Sequence, residues 1–124
     1  MEMKFCICNH CGNIIAYVEN KGVKIFCCGE KMTELVPNTV EASQEKHLPV
    51  YTVEGNTVKV SIGSVAHPMT AEHYIKWVVL QTEKGNQRRE LAPDTKPEIA
   101  VPIENDDKVT AVYAYCNLHG LWKV

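Results

Sequence analysis

Val58, Val60 and Ile62 are apolar and their neighbours Lys59 and Ser61 are polar, the period-two pattern of a strand that buries one face. Residues 74–80 and 109–115 are rich in aromatic and β-branched side chains, which suit a pleated, half-buried surface. Turn signals at Glu54-Gly55-Asn56, Lys84-Gly85-Asn86 and Ala92-Pro93-Asp94 break these runs at intervals typical of an antiparallel sandwich. One short helical turn is predicted over residues 40–46, with Thr39 as its N-cap and Pro49 stopping it. Nearer the N-terminus, residues 14–18 and 23–26 read as two short strands joined by the turn Glu19-Asn20-Lys21-Gly22. Such a hairpin is too small to persist alone in water, and a bound metal would supply the missing stability. The chain shows no internal repeat, and a boundary near Val36-Pro37-Asn38 separates the two patterns.

Composition sharpens this all-β picture. With 124 residues, 45% of them apolar and 23% charged, the chain has enough material for one ordinary domain, or for one modest domain with a small appendage that needs a metal or disulfides to hold it. A formal charge of -2 provides no basic field for phosphate, so nucleic acid is not an expected partner. Met1-Glu2-Met3-Lys4-Phe5 leads into cysteines without an apolar signal segment, and no apolar run approaches the ~18 residues a membrane span needs. No membrane association is expected, and the cytoplasm is the expected location. In that reducing compartment six cysteines are expected to persist as thiols, and clustered thiols there usually hold metal.

The cysteines and histidines fall into two sets. Cys8-x-x-Cys11 and Cys27-Cys28 offer four thiolates that a chain reversal would gather around one tetrahedral ion, and both zinc and iron accept that set. Neighbouring residues of an extended chain point to opposite sides, so ligation by both Cys27 and Cys28 demands a local distortion. Cys6 is out of step with the pairs and reads as a spare thiol, and His10, between two ligand cysteines, reads as a surface residue. The second set is His47, His67, His73, Cys116 and His119. Four imidazoles and one thiolate are too many for a closed tetrahedral zinc site but suit iron with one coordination position left over.

These residues sit in recognisable surroundings: Glu45-Lys46-His47, Ser64-Val65-Ala66-His67-Pro68-Met69, Glu72-His73-Tyr74-Ile75 and Cys116-Asn117-Leu118-His119-Gly120-Leu121-Trp122-Lys123. With Cys8-x-x-Cys11 and Cys27-Cys28, they make the chain resemble a desulfoferrodoxin, the two-iron class of superoxide reductase. The resemblance implies a small desulforedoxin-like domain over residues 1–37 with a distorted four-thiolate iron, followed by an immunoglobulin-like β-sandwich over residues 38–124. It places a second, catalytic iron on His47, His67, His73 and His119, with the axial sulfur from Cys116. It further implies one-electron reduction of superoxide to hydrogen peroxide, a rubredoxin-like electron donor and a homodimer. Lys46 would attract the anion and aid its protonation, and Glu45 would close onto the oxidised iron. Two departures stand out: Cys6 has no ligand role in the family, and Ala114-Tyr115 precedes Cys116 where charged residues are more familiar. Trp77, Trp122 and Tyr74 read as core or site-wall aromatics rather than redox relays.

Overall fold

The computed structural model describes residues 2–124. By its contacts the chain divides into two compact units, one ending at Val36 and the other spanning Pro37–Val124. Among the described residues no helix is long and apolar enough to cross a membrane.

In the first unit, β1 (Phe5–Ile7) pairs antiparallel with β2 (Ile14–Ala16). A separate two-stranded ladder joins β3 (Phe26–Cys27) to β4 (Glu30–Lys31), and β5 (Thr33–Glu34) closes the other edge of β1. The expected hairpin of residues 14–18 with 23–26 therefore does not form. Each strand instead pairs across its own cysteine turn: Ile7 lies opposite Ile14, and Cys27 opposite Glu30. The reason lies in burial. Val18 is fully exposed and Val23 largely so, so lengthening those strands would remove little apolar surface from water. The unit's buried cluster is small, consisting of Cys6, Cys8 and Met32 with Ile15, Tyr17 and Ile25 against them.

The second unit opens with one helical turn, α1 (Gln44–His47). Seven strands follow: β6 (Pro49–Glu54), β7 (Thr57–Ile62), β8 (Ile75–Thr82), β9 (Gly85–Glu90), β10 (Glu98–Pro102), β11 (Val109–Cys116) and β12 (Gly120–Lys123). They form two antiparallel sheets of order β10-β7-β6 and β12-β11-β8-β9. The alternation at Val58, Val60 and Ile62 turns these side chains into the core, where they meet Val78, Leu80, Val112, Ala114 and Cys116 from the other sheet. That shared apolar layer makes the unit a β-sandwich.

The helical turn begins four residues later than predicted. Ser43, not Thr39, occupies the N-cap position, and its side chain makes no capping bond. The preceding segment is drawn away by β12: Asn38 N–H donates to the Leu121 carbonyl at 3.0 Å, and its side chain bonds both backbone groups of Lys123 at 2.9–3.0 Å. Asn38, just before the predicted N-cap, is thereby held beside the strand.

One irregularity positions the chemistry. Tyr115 lies opposite Trp77 but Cys116 opposite Ile75, so Lys76 is the extra residue of a β-bulge. The bulge turns Ile75 inward beside Cys116, and both are fully buried.

Candidate metal centres

The first centre lies in the turns of the first unit. The β1–β2 turn is closed by Cys8 N–H to the Asn13 carbonyl at 2.8 Å and Gly12 N–H to the Cys8 carbonyl at 2.9 Å, with Gly12 at φ +84°. The β3–β4 turn has Cys28 at φ 54° and Gly29 at φ 75°, the two left-handed positions of a tight primed hairpin turn. That is the local distortion the adjacent cysteines demanded. A left-handed Cys28 brings its sulfur to the same side as that of Cys27, 4.0 Å away.

Cys8, Cys11, Cys27 and Cys28 bring their sulfurs within 4.8 Å of one another. The Cys11–Cys27 separation is 3.6 Å, and sulfurs ~2.3 Å from a tetrahedral ion stand ~3.8 Å apart. Backbone N–H groups aim at these sulfurs, Cys11 donating to Cys8 at 3.4 Å and Asn13 to Cys11 at 3.5 Å. The Cys11 N–H draws the Cys8 thiol down to about 6, whereas contact with the Cys11 thiol, then burial, pushes Cys28 up to about 12. One thiolate forms readily in this cluster and four do not, unless a cation balances them. The donor set thus fits a metal ion on its own chemistry. Cys6 is buried outside the cluster, its thiol 3.6 Å from the Tyr17 hydroxyl, and His10 is exposed.

The second centre is built from four separate places in the second unit. His47 ends α1, His67 follows β7, His73 precedes β8, and the turn between β11 and β12 supplies Cys116 and His119. The donor atoms of His47, His67, His73 and Cys116 lie within 4.8 Å of one another. His119 joins through Nδ1, 3.1 Å from His47 Nε2 and 4.0 Å from Cys116 Sγ. The rings run in cyclic order His47, His67, His73, His119, with neighbouring centroids 4.6, 4.7, 5.1 and 4.9 Å apart and planes 76–86° to one another. The diagonal from His47 to His73 is longer, 6.2 Å. His47 Nε2 is 3.2 Å from His67 Nε2, close to the ~3.0 Å edge of a square of nitrogens around an ion with ~2.1 Å bonds.

Hydrogen bonds fix the tautomers that such a square needs. His47 Nδ1 donates to the Ser43 carbonyl at 2.7 Å and His67 Nδ1 to the Pro68 carbonyl at 2.6 Å, which leaves each Nε2 lone pair facing inward. Burial holds His47, His67 and His73 below the ordinary imidazole range, His67 at about 4, so they remain neutral donors at pH 7. The Nε2 of His73 is buried without any protein partner. A buried nitrogen of that kind is costly unless something binds it, and an ion at the centre of the square would. Trp122 stacks on His47 with centroids 4.9 Å apart and donates Nε1–H to the His119 carbonyl at 3.1 Å.

Glu45 and Lys46 have exposed side chains on α1 but a firmly held backbone. Val65 N–H and the Ser64 hydroxyl both donate to the Glu45 carbonyl, at 3.1 and 3.3 Å. Gly63, at φ +85°, lies so close that a Cβ there would stand 2.7 Å from the Lys46 carbonyl oxygen and 2.9 Å from that of Glu45. After burial and the neighbouring imidazoles, the Lys46 charge also lowers the basicity of His47 and His73, so its field reaches the donor cluster. Sequence reasoning reached the donors but not what holds them: Ser43, Gly63, Asn117 and the stacking of Trp122. Asn117 and Trp122 follow Cys116 closely, yet Glu72, Tyr74 and His47, which they hold, are remote in sequence.

A β-sandwich with a ring of imidazoles and one thiol, together with a four-thiol turn cluster, defines a metalloprotein with two mononuclear centres. The desulfoferrodoxin family model matches residues 39–124. A desulfoferrodoxin from Clostridium acetobutylicum is 40% identical over 122 residues, covering 98% of this chain and 95% of that protein. The superoxide reductase from Treponema pallidum superposes with a TM-score of 0.85 at 42% identity, covering 100% of this chain and 99% of that one. The 1Fe superoxide reductase from Giardia intestinalis, at 32% identity and a TM-score of 0.54, covers 64% of this chain and 95% of that one. The chain belongs to the desulfoferrodoxin family, and both donor sets fit the two iron sites of that family.

Proposed function

We propose that this protein is a superoxide reductase, converting superoxide, one electron and two protons to hydrogen peroxide at the histidine-rich centre. The observation that carries this is the closed ring of His47, His67, His73 and His119 joined by the sulfur of Cys116. Ferrous iron held by these five donors would supply the electron, and five donors leave an octahedral ion one position for substrate.

The residues around it divide the remaining work. The Cys116 thiol is pushed up by burial, with N–H groups of Leu118 and His119 working against that. A cation beside it would favour the thiolate, and a Cys116 thiolate would supply electron density to an ion held there. Trp122 and the carbonyl partners of His47 and His67 hold the imidazole plane in place without charge. Lys46 is the cation nearest in role to an anion guide: exposed, hinged on a fixed backbone, and felt electrostatically at His47 and His73. We assign it to attracting superoxide and donating hydrogen bonds to the reduced oxygen species, and Glu45 beside it to closing on the centre after oxidation.

The four-thiolate centre is proposed to hold iron and to exchange electrons with a rubredoxin-like donor. Free thiols throughout support a cytoplasmic location, and family membership supports a homodimer. Metal analysis with visible spectra before and after oxidation tests the whole reading. Two irons per chain are expected, with a ferric thiolate spectrum and a separate band from the histidine–cysteine centre. Peroxide should form on superoxide addition without oxygen evolution beyond the spontaneous background. Protein that binds only zinc and leaves superoxide decay unchanged after reconstitution with iron would overturn it.

A further inference from the structure

We infer that Asn117 is a positioning residue for His73, locking that imidazole to the turn that carries the sulfur; this rests on the assignment of His73 and Cys116 as ligands of one ion. His47 and His67 are each oriented by a carbonyl at the ring nitrogen remote from the cluster, at 2.7 and 2.6 Å. His73 has no such restraint. Among the described residues neither of its ring nitrogens makes a hydrogen bond, and its Nε2 is buried without a protein partner. The orientation of this ring must come from its backbone.

That backbone is gripped from both sides by one side chain. Asn117 Oδ1 accepts from Tyr74 N–H at 2.9 Å, and Asn117 Nδ2 donates to the Glu72 carbonyl at 2.9 Å. These are the residues immediately before and after His73. Asn117 N–H also donates to the Tyr74 carbonyl at 3.2 Å, so the amide reads the whole segment as a strand partner would. Thr70 holds the inner side, with backbone bonds to His73 of 2.9 and 3.2 Å. Asn117 directly follows Cys116 and lies two residues before His119. The side chain therefore couples three donors, two on its own turn and one just before the neighbouring strand β8.

Asparagine suits this task because it presents one acceptor and one two-proton donor at fixed spacing, matching one N–H and one C=O. Partners that orient metal ligands in this way are worth 10–100-fold in metal affinity when removed, on general grounds. Asn117→Ala removes both bonds. Asn117→Asp keeps an acceptor for Tyr74 N–H but turns a carboxylate oxygen toward the Glu72 carbonyl.

The test uses the full iron-loaded chain and reads three properties: the energy of the ferric sulfur-to-iron absorption band, the symmetry of the ferric electron-spin-resonance signal, and iron release to a chelator. Asn117→Ala is expected to shift the band, broaden the signal and speed iron release about tenfold or more. Asn117→Asp should fall between it and wild type. Asn56→Ala serves as the control, since its side chain joins Asn105 at 2.5 Å and touches none of the donors. It should leave the spectrum and the iron-release rate unaltered. If Asn117→Ala does not fold, the aspartate variant carries the test by the same readouts. Variants at Asn117 with the wild-type spectrum and release rate would overturn the inference. A wild-type protein without a sulfur-to-iron band would instead overturn the ligand assignment on which it rests.

Discussion

A single exposed cation beside a neutral metal-ligand cluster has an effect set by distance and salt. Lys46 follows Glu45 on one helical turn whose carbonyls are pinned, so its side chain leaves the backbone from a fixed point while remaining free to move. Lys46→Ala should leave the visible spectrum unchanged and slow the reaction with superoxide roughly tenfold at low ionic strength, with the difference shrinking above about 0.15 M salt as screening sets in. Pulse radiolysis across a salt series measures this, and equal rates for both proteins at every ionic strength would remove Lys46 from the approach path. Glu45→Ala separates the two neighbours. It should spare that rate and change the ferric spectrum, because closing on the oxidised centre concerns the product state. An unchanged ferric spectrum would leave Glu45 as a solvated surface charge.

Gly63 shows how one element places another. It ends β7 in a left-handed conformation, and its missing side chain lets the carbonyls of Glu45 and Lys46 sit against the turn that leads to His67. An alanine there would meet carbonyl oxygens of Val65, Lys46 and Glu45 inside contact distance while also straining φ, at a cost of about 2–3 kcal/mol or more. Gly63→Ala should lower the urea midpoint of the second unit and disturb the His47 half of the centre. A midpoint equal to wild type would show that α1 adapts freely. This contact also marks where sequence reading stops. Donor residues were legible because cysteine and histidine carry their chemistry locally, and Val58, Val60 and Ile62 were legible because alternation is local too. Pairing is not local: residues 14–16 choose the three-residue β1 as partner, and Asn38 is claimed by β12. Likewise, the need for distortion at Cys27-Cys28 was visible, but its form, a left-handed Cys28 in a hairpin turn, required the chain's own hydrogen bonds.

Across the second unit, the donor cluster links folding to pH with a definite sign. Burial lowers the affinity of His47, His67 and His73 for protons relative to the unfolded chain, His67 to about 4. Between the ordinary imidazole value of 6.5 and about 4 the unfolded chain therefore binds more protons than the folded one, and stability must fall as pH falls through that window. Burial raises the Cys116 thiol above its ordinary 9.0, so on the alkaline side the folded state retains a proton that the unfolded state loses, and stability declines again above about pH 9. Apoprotein should thus be most stable between those limits. Its urea midpoint should drop from pH 7 to pH 4.5, followed by tryptophan fluorescence. Metal changes the balance on both flanks, because an ion binds the neutral imidazoles and the thiolate that the folded state alone brings together. Loading should flatten the alkaline decline, since the metal replaces the retained proton, and should raise the midpoint at pH 7 while steepening its fall toward acid, because protons compete with the ion for the same nitrogens and sulfur. An apoprotein midpoint independent of pH from 7 to 4.5 would mean that the imidazoles take up protons as easily when folded as when unfolded, and the neutral ring on which ligation depends would not exist.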